Sequence, residues 1–109
     1  MDEIFEEINR LCSWDCFITS YDGWKLVIST GRSYYSARPF LEFLDVNYLS
    51  CPTEFSHPKF RLASSTERTA IGDLVYLEET DLVIAVEAET MANLSMHIFF
   101  FVTESISIL

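Results

Sequence analysis

Cys51 and His57 are the residue types from which thiol nucleophiles are built. A histidine that takes up the thiol proton leaves a thiolate, which is the reactive form of cysteine. The two residues lie six positions apart in a stretch that contains Pro52 and Pro58. Each proline removes an amide donor and restricts the residue before it, so the stretch predicts an accessible loop. Two groups on one loop seldom face each other, and we therefore expect residues 51–58 to be structural.

Three carboxylates interrupt segments that otherwise have the composition of strands: Asp45, Asp81 and Glu87. A carboxylate that points into a core is costly and would mark a functional site, whereas one on the polar face carries no such meaning. The alternation in the last third puts Glu87 on the face of Val83 and Ala85, so we predict that it faces solvent.

Cys12 and Cys16 are separated by three residues, a spacing that matches neither a zinc knuckle nor a thioredoxin-type pair. With Cys51 the count is odd, which is unlike the disulfide framework of a small secreted domain. We expect buried, reduced cysteines and a cytoplasmic protein. No phosphate-binding loop, dinucleotide fingerprint or metalloprotease motif is present, so the sequence predicts no metal and no cofactor.

The first positioning element is a helix over residues 2–12. Its apolar residues recur at helical spacing and form one stripe: Ile4, Phe5, Ile8, Leu11 and Cys12. Two β-rich segments, residues 16–20 and 24–29, then flank Tyr21, Asp22 and Gly23, and Asp-Gly is a strong hairpin signal. In the second arm Trp24 alternates in phase with Leu26 and Ile28, so the pattern predicts that Trp24 is buried.

The remaining chain is predicted to be mostly strand. Ser64, three residues before Glu67, indicates a one-turn helical cap inside a polar connection, and a helix over 90–96 competes with a loop there. The predicted strands span residues 40–49, 59–63, 74–77, 82–88, 96–102 and 106–109. These elements predict a single α+β domain over residues 1–109, in which one N-terminal helix packs on a mostly antiparallel, curved or barrel-like sheet of about seven strands.

Charge restricts the choice of partner. Seventeen acidic and seven basic side chains give a net charge of −10, which repels phosphate backbones and anionic lipids and so argues against nucleic-acid and membrane binding. A basic protein fits better. The alternative is that the acidity only keeps an aromatic-rich protein soluble.

The aromatic surplus of the first half indicates where such a partner would bind. Tyrosine and tryptophan in loops supply rigid contact area, and an acidic surround suits a protein interface. The alternative is that these rings fill a small core. The candidate binding residues are Tyr34, Tyr35, Asp45, Tyr48, Phe55 and His57.

The layout of acidic N-terminal helix, hairpin, the run from Phe43 to Leu49 and the terminal segment from Ile98 to Leu109 resembles small acidic immunity proteins of bacterial toxin systems. The resemblance implies a non-catalytic protein that occludes the active site of a basic toxin, often a nuclease, through an acidic and aromatic surface. It assigns no role to an individual residue.

Two other classes of function stay open at this point. The apolar last strand could pair across a two-fold axis and make the chain a self-associating homodimer. A small enzyme or ligand-binding module could use the cavity of a curved sheet, with Asp45, His57 or Glu87 at its mouth.

Overall fold

The structure is a computed structural model that describes residues 2–12, 15–30, 40–90 and 95–109. Tyr34 and Tyr35 lie outside the described residues, as do residues 91–94, where loop and helix compete in the sequence. The elements are α1 (Asp2–Leu11), β1 (Asp15–Tyr21), β2 (Leu26–Thr30), β3 (Phe40–Leu44), β4 (Tyr48–Ser50), β5 (Glu54–Leu62), α2 (Ser65–Gly72), β6 (Leu82–Glu89), β7 (His97–Thr103) and β8 (Ser105–Ile108).

The described strands form one eight-stranded antiparallel sheet in the order β4-β7-β6-β5-β1-β2-β3-β8. The α+β class, the N-terminal helix and the antiparallel sheet are confirmed. The count is eight rather than about seven: the predicted strand over 40–49 is two strands, β3 and β4, whereas residues 74–77 form no strand. The sheet is not closed: β4 and β8 are its edges, so a barrel-like shape is not confirmed.

α1 covers one face of the sheet because the predicted apolar stripe of the helix packs there. Phe5, Ile8 and Cys12 are buried in the main core. Asn9 fixes the helix on β5, since its amide nitrogen donates to the Phe60 carbonyl at 2.9 Å and its amide oxygen accepts from the Phe60 amide at 2.7 Å. Because these bonds satisfy both polar ends of one side chain, they set the position of the helix as well as its orientation.

α2 covers the opposite face, where Ile71 packs with Val83 and Val102. The predicted cap is confirmed as a full capping box: Ser64 accepts from the Glu67 amide at 3.2 Å, and the Glu67 carboxylate accepts from the Ser64 amide at 2.8 Å. The element is longer than the predicted single turn, with eight residues.

The predicted strand over 74–77 is wrong. The amides of Leu74 and Val75 both donate to the Ile71 carbonyl, which winds the chain round the end of α2 instead of extending it. The alternation that suggested a strand is nevertheless real, because Val75 and Leu77 pack on the second cluster while Leu74 and Tyr76 are exposed. A loop that lies flat on a sheet face produces the same period of two as a half-buried strand.

The predicted strand over 40–49 is divided by a bend at Asp45, whose φ of 54° lies in the left-handed region. β3 pairs with β8 before the bend, and β4 pairs with β7 after it. The facing chain bends at Glu104, between β7 and β8. The two bends are bonded to each other, since the Leu44 carbonyl accepts from the Glu104 amide at 3.0 Å and from the Thr103 hydroxyl at 2.6 Å.

The predicted loop over 51–58 is wrong for its second half, which belongs to β5. His57, with φ 51°, forms a bulge, and the register with β6 shifts between Ser56 and Lys59. The bulge accommodates Pro58, which has no amide hydrogen to donate to the pairing between β5 and β6. Phe55 is fully buried and Pro58 is also buried, so neither is an accessible loop residue.

The hairpin is confirmed, but the predicted burial of Trp24 is wrong. β2 begins only at Leu26, which is buried, whereas the Trp24 side chain is 51% exposed. The Asp22 carboxylate accepts from the amides of Trp24 and Lys25 at 2.9 and 2.7 Å. This turn takes Trp24 out of the strand and off the core face.

Candidate functional site

One region of the sheet carries exposed aromatic and acidic side chains close together. The β1–β2 turn, the β3–β4 bend and the β7–β8 bend meet there, as the pairs Tyr21 with Leu26 and Leu44 with Ser105 require. We call this surface the acidic-aromatic end and define it by Tyr21, Trp24, Asp45 and Glu104.

Hydrogen bonds hold the β1–β2 turn against the β3–β4 bend. The Tyr21 hydroxyl donates to the Val46 carbonyl at 2.9 Å, and the Val46 amide donates to the Trp24 carbonyl at 2.9 Å. Val46 itself is buried in the main core. The two aromatic residues are therefore held on a rigid support, although Tyr21 is 41% exposed.

The electrostatics of this end are dominated by like charge. The pKa of Glu104 is raised from its ordinary value, first because of a hydrogen bond with the Asp45 carboxyl and then because of the charge on Asp45. Asp81 and Glu78 add smaller effects of the same sign. Each additional carboxylate makes ionisation of Glu104 harder, so the surface presents a concentrated negative field.

Basic side chains of the described residues do not relieve this field through ion pairs. Arg68 lies near, but its guanidinium donates to the backbone carbonyls of Asp81 at 2.8 Å and Glu78 at 3.0 Å. Arg61 is held on the far face of the sheet by Glu67 and Glu87. Within the described part of the chain, no ion pair involves Asp45 or Glu104.

The structure separates the six predicted binding residues. Asp45 belongs to the acidic-aromatic end. Tyr48 is half-buried in the second cluster, next to that end. Phe55 offers no surface to a partner, because it is fully buried between Phe60 and Phe99 in the main core.

His57 lies away from this surface, since its neighbour Ser56 pairs with Asp15, at the other end of β1 from Tyr21. Its Nδ1 is 2.6 Å from a Glu89 carboxylate oxygen at the end of β6. Asp81, whose charge acts on Glu104, is separated from Glu89 by the length of β6, about 26 Å for an extended strand. Asp45 and His57 are therefore not assembled at one cavity mouth, and the Glu87 carboxylate is bound by Arg61 at 2.6 Å.

The cysteines lack the environment that a nucleophile needs. Cys12, Cys16 and Cys51 are all reduced thiols that form no disulfide. Burial raises the pKa of Cys51 to about 12, and a hydrogen bond with Cys12 raises the pKa of Cys16. Both shifts favour the unreactive thiol at neutral pH. Among the residues described, no group of three or more His, Cys, Asp or Glu side chains is arranged to hold a metal ion.

A groove of about 350 Å³ opens beside the acidic-aromatic end, between α1 and β8. Its lining residues are Glu3, Ile4, Leu82, Glu104, Ser105 and Ile106. The walls are mainly apolar, and the carboxylates of Glu3 and Glu104 border them. Glu104 thus belongs both to the groove and to the exposed acidic surface.

Sequence reasoning missed three of the four residues that define this end. Tyr21 and Trp24 flank the Asp-Gly turn, and the Asp22 carboxylate draws Trp24 into that turn, so the strand alternation did not apply to it. Glu104 carries no such signal. Its proximity to Asp45 depends on the pairing of β3 with β8, between segments about 60 residues apart in the chain.

No protein-family model, curated protein or solved structure matches this chain. In the described portion of the chain, no helix has the length and apolar character to cross a membrane.

Proposed function

We propose that this chain is a non-catalytic binding protein that docks a basic protein partner through the acidic-aromatic end. The observation that carries the proposal is the meeting of Tyr21 and Trp24, both substantially exposed, with a carboxylate pair, Asp45 and Glu104. Exposed tryptophan and tyrosine supply most of the binding energy at many protein interfaces. The surrounding carboxylates select a partner of opposite charge and accelerate the encounter.

The rigidity of the support favours a protein partner. Trp24 is anchored by its backbone to Val46, so little conformational freedom is lost when it is covered. A nearby loop adds Tyr76, which is 81% exposed and two residues from Glu78. Several large side chains around a charged centre suit an interface better than an enclosed small-molecule site.

The proposal extends to the class of partner. A basic bacterial toxin, occluded by this surface, would agree with the net charge of −10 and with the adjacency of the Asp45 and Glu104 carboxylates. The cytoplasm is the proposed compartment, and the three reduced cysteines support it because disulfides are rare there.

The test is affinity capture from a lysate of the source organism with four immobilised proteins: wild type, Trp24→Ala, Glu104→Lys and Glu54→Lys. Glu54 is exposed on β5, where it pairs with Phe17 and not with a residue of the acidic-aromatic end, and it controls for the change of net charge. We expect wild type and Glu54→Lys to retain one basic protein at about 50 mM salt and to release it at about 500 mM, where the screening length is roughly threefold shorter. Trp24→Ala and Glu104→Lys should retain little of it. Equal capture by all four proteins would show that the partner binds elsewhere.

A further inference from the structure

β8 is an edge strand, and one side of it is unpaired within the described structure. Its register with β3 joins Leu41 to Ile108 and Leu44 to Ser105, and β8 ends the strand order. Natural sheets protect exposed edges with lysine, proline, a bulge or a covering element. The β8 sequence Ser-Ile-Ser-Ile has neither a charge nor a proline, and no register shift interrupts its pairing with β3.

The groove beside this edge has the shape and chemistry of a strand-binding site. Ile106 of β8, Leu82 of β6 and Ile4 of α1 supply apolar walls, and Glu3 and Glu104 supply charge at the border. A volume of about 350 Å³ admits one or two side chains of a peptide, not a folded element. Added strands bind in this way, since backbone bonds give affinity and alternate side chains enter pockets.

We propose that the groove takes an extended basic segment of the partner, which pairs with the free side of β8 as an added strand. The aliphatic part of a lysine or arginine would lie against Ile4 and Ile106, and its charged end would reach Glu3 and Glu104. The inference rests on the proposed function, because it names the element of the partner that engages the border of the acidic-aromatic end.

Charge decides between a basic partner and a second copy of this chain. Two copies joined through β8 would bring together two chains of net charge −10, with Glu104 next to the strand in each. The paired segment of a copy, residues 105–108, has no base to place near those carboxylates. The pKa of Glu104 is raised first by its hydrogen bond with Asp45 and then by the charge on Asp45. A basic segment would offset that charge, whereas a second copy would add to it.

The experiment uses the intact ¹⁵N-labelled protein and an acetylated, amidated heptapeptide that alternates lysine with valine. We expect the largest amide shift changes at residues 105–108, with further changes at Ile4 and Leu82. The same peptide with alternate backbone amides N-methylated keeps its charges and side chains but loses donors along one edge. It should bind at least tenfold more weakly, and a peptide with glutamate in place of lysine should not bind.

Two variants separate charge from strand pairing. Glu104→Gln should weaken binding of the lysine peptide severalfold, and Glu54→Gln, which changes a residue outside the groove, should leave the affinity unchanged. Equal binding of the N-methylated peptide, or shifts confined to Trp24 and Asp45 with residues 105–108 unchanged, would overturn strand addition while leaving the proposed function intact. Shifts at 105–108 that depend on protein concentration without peptide would assign the edge to a second copy. Pairing by the peptide combined with equal lysate capture by all four proteins would refute only the proposed function.

Discussion

The Tyr21 hydroxyl donates a 2.9 Å hydrogen bond to the Val46 carbonyl across 25 residues of sequence. This bond joins the β1–β2 turn to the bend that carries Asp45, and it leaves part of the tyrosine ring exposed. One side chain thus serves both the fold and the proposed binding surface.

Tyr21→Phe tests how much the hydrogen bond from Tyr21 to Val46 contributes to stability. The ring remains but the donor is lost, so we expect the free energy of unfolding to fall by about 1 kcal/mol, the net contribution of an ordinary hydrogen bond. Urea denaturation measures the change. Partner affinity should fall by less than in Trp24→Ala, and an unchanged urea midpoint would show that the backbone bond from Val46 to Trp24 suffices to hold the turn.

A second prediction compares Trp24→Ala with Phe55→Ala. Each variant removes a large aromatic ring from the first half of the chain. Trp24 is exposed, so its loss should change stability by no more than about 0.5 kcal/mol while it reduces partner binding. Phe55 is fully buried, so its loss should cost about 3 to 5 kcal/mol. Thermal and urea unfolding distinguish them. A large destabilisation by Trp24→Ala would mean that the ring is packed after all.

Glu104→Gln should stabilise the free protein at neutral pH. Because the pKa of Glu104 is raised in the folded state, protonation of this group favours folding, and that contribution is lost as the pH rises through the folded pKa. The variant behaves like the protonated form at every pH. Its urea midpoint should therefore exceed that of wild type at pH 7, and the difference should vanish as the pH falls below the ordinary value of 4.5.

Glu54→Gln is the control for this comparison and should show no such gain. The same Glu104→Gln variant should bind the basic partner less tightly. A side chain that lowers the stability of the free protein and raises its affinity is the expected signature of a binding site.

For Glu67 we expect the effect of substitution on stability to depend on pH in the opposite direction. Its carboxylate bonds Arg61 at 2.6 Å, which lowers its pKa to about 2, and it also caps α2. Glu67→Ala removes both interactions and should cost about 1 to 2 kcal/mol at pH 7. Glu67→Gln can keep the cap but not the ion pair and should cost less. Both deficits should shrink as the pH falls from 4.5 towards 2, since wild type then loses its charge. A deficit independent of pH would assign the whole effect to the cap.

The sequence predicted those elements whose signals are local. The stripe of α1, the Asp-Gly turn after Tyr21 and the cap at Ser64 each depend on a few neighbouring residues. The bend at Asp45 was not predicted, because only the pairing of β3 with β8 and of β4 with β7 requires a left-handed residue there. For the same reason the site was found only in part. Asp45 was identified from its type, whereas its neighbour Glu104 comes from a pairing that no local pattern encodes.

The acidic-aromatic end is made from three segments that the chain contributes far apart, around residues 21–24, 45–47 and 103–105. Contacts of such high sequence separation exist only when distant parts of the chain are brought together, at a cost in loop-closure entropy. A partner that needs all three segments together therefore recognises the native state and not an unfolded or truncated chain. Its binding would in turn raise the stability of the whole domain by mass action, so that the protein is best protected from unfolding and proteolysis when its partner is present.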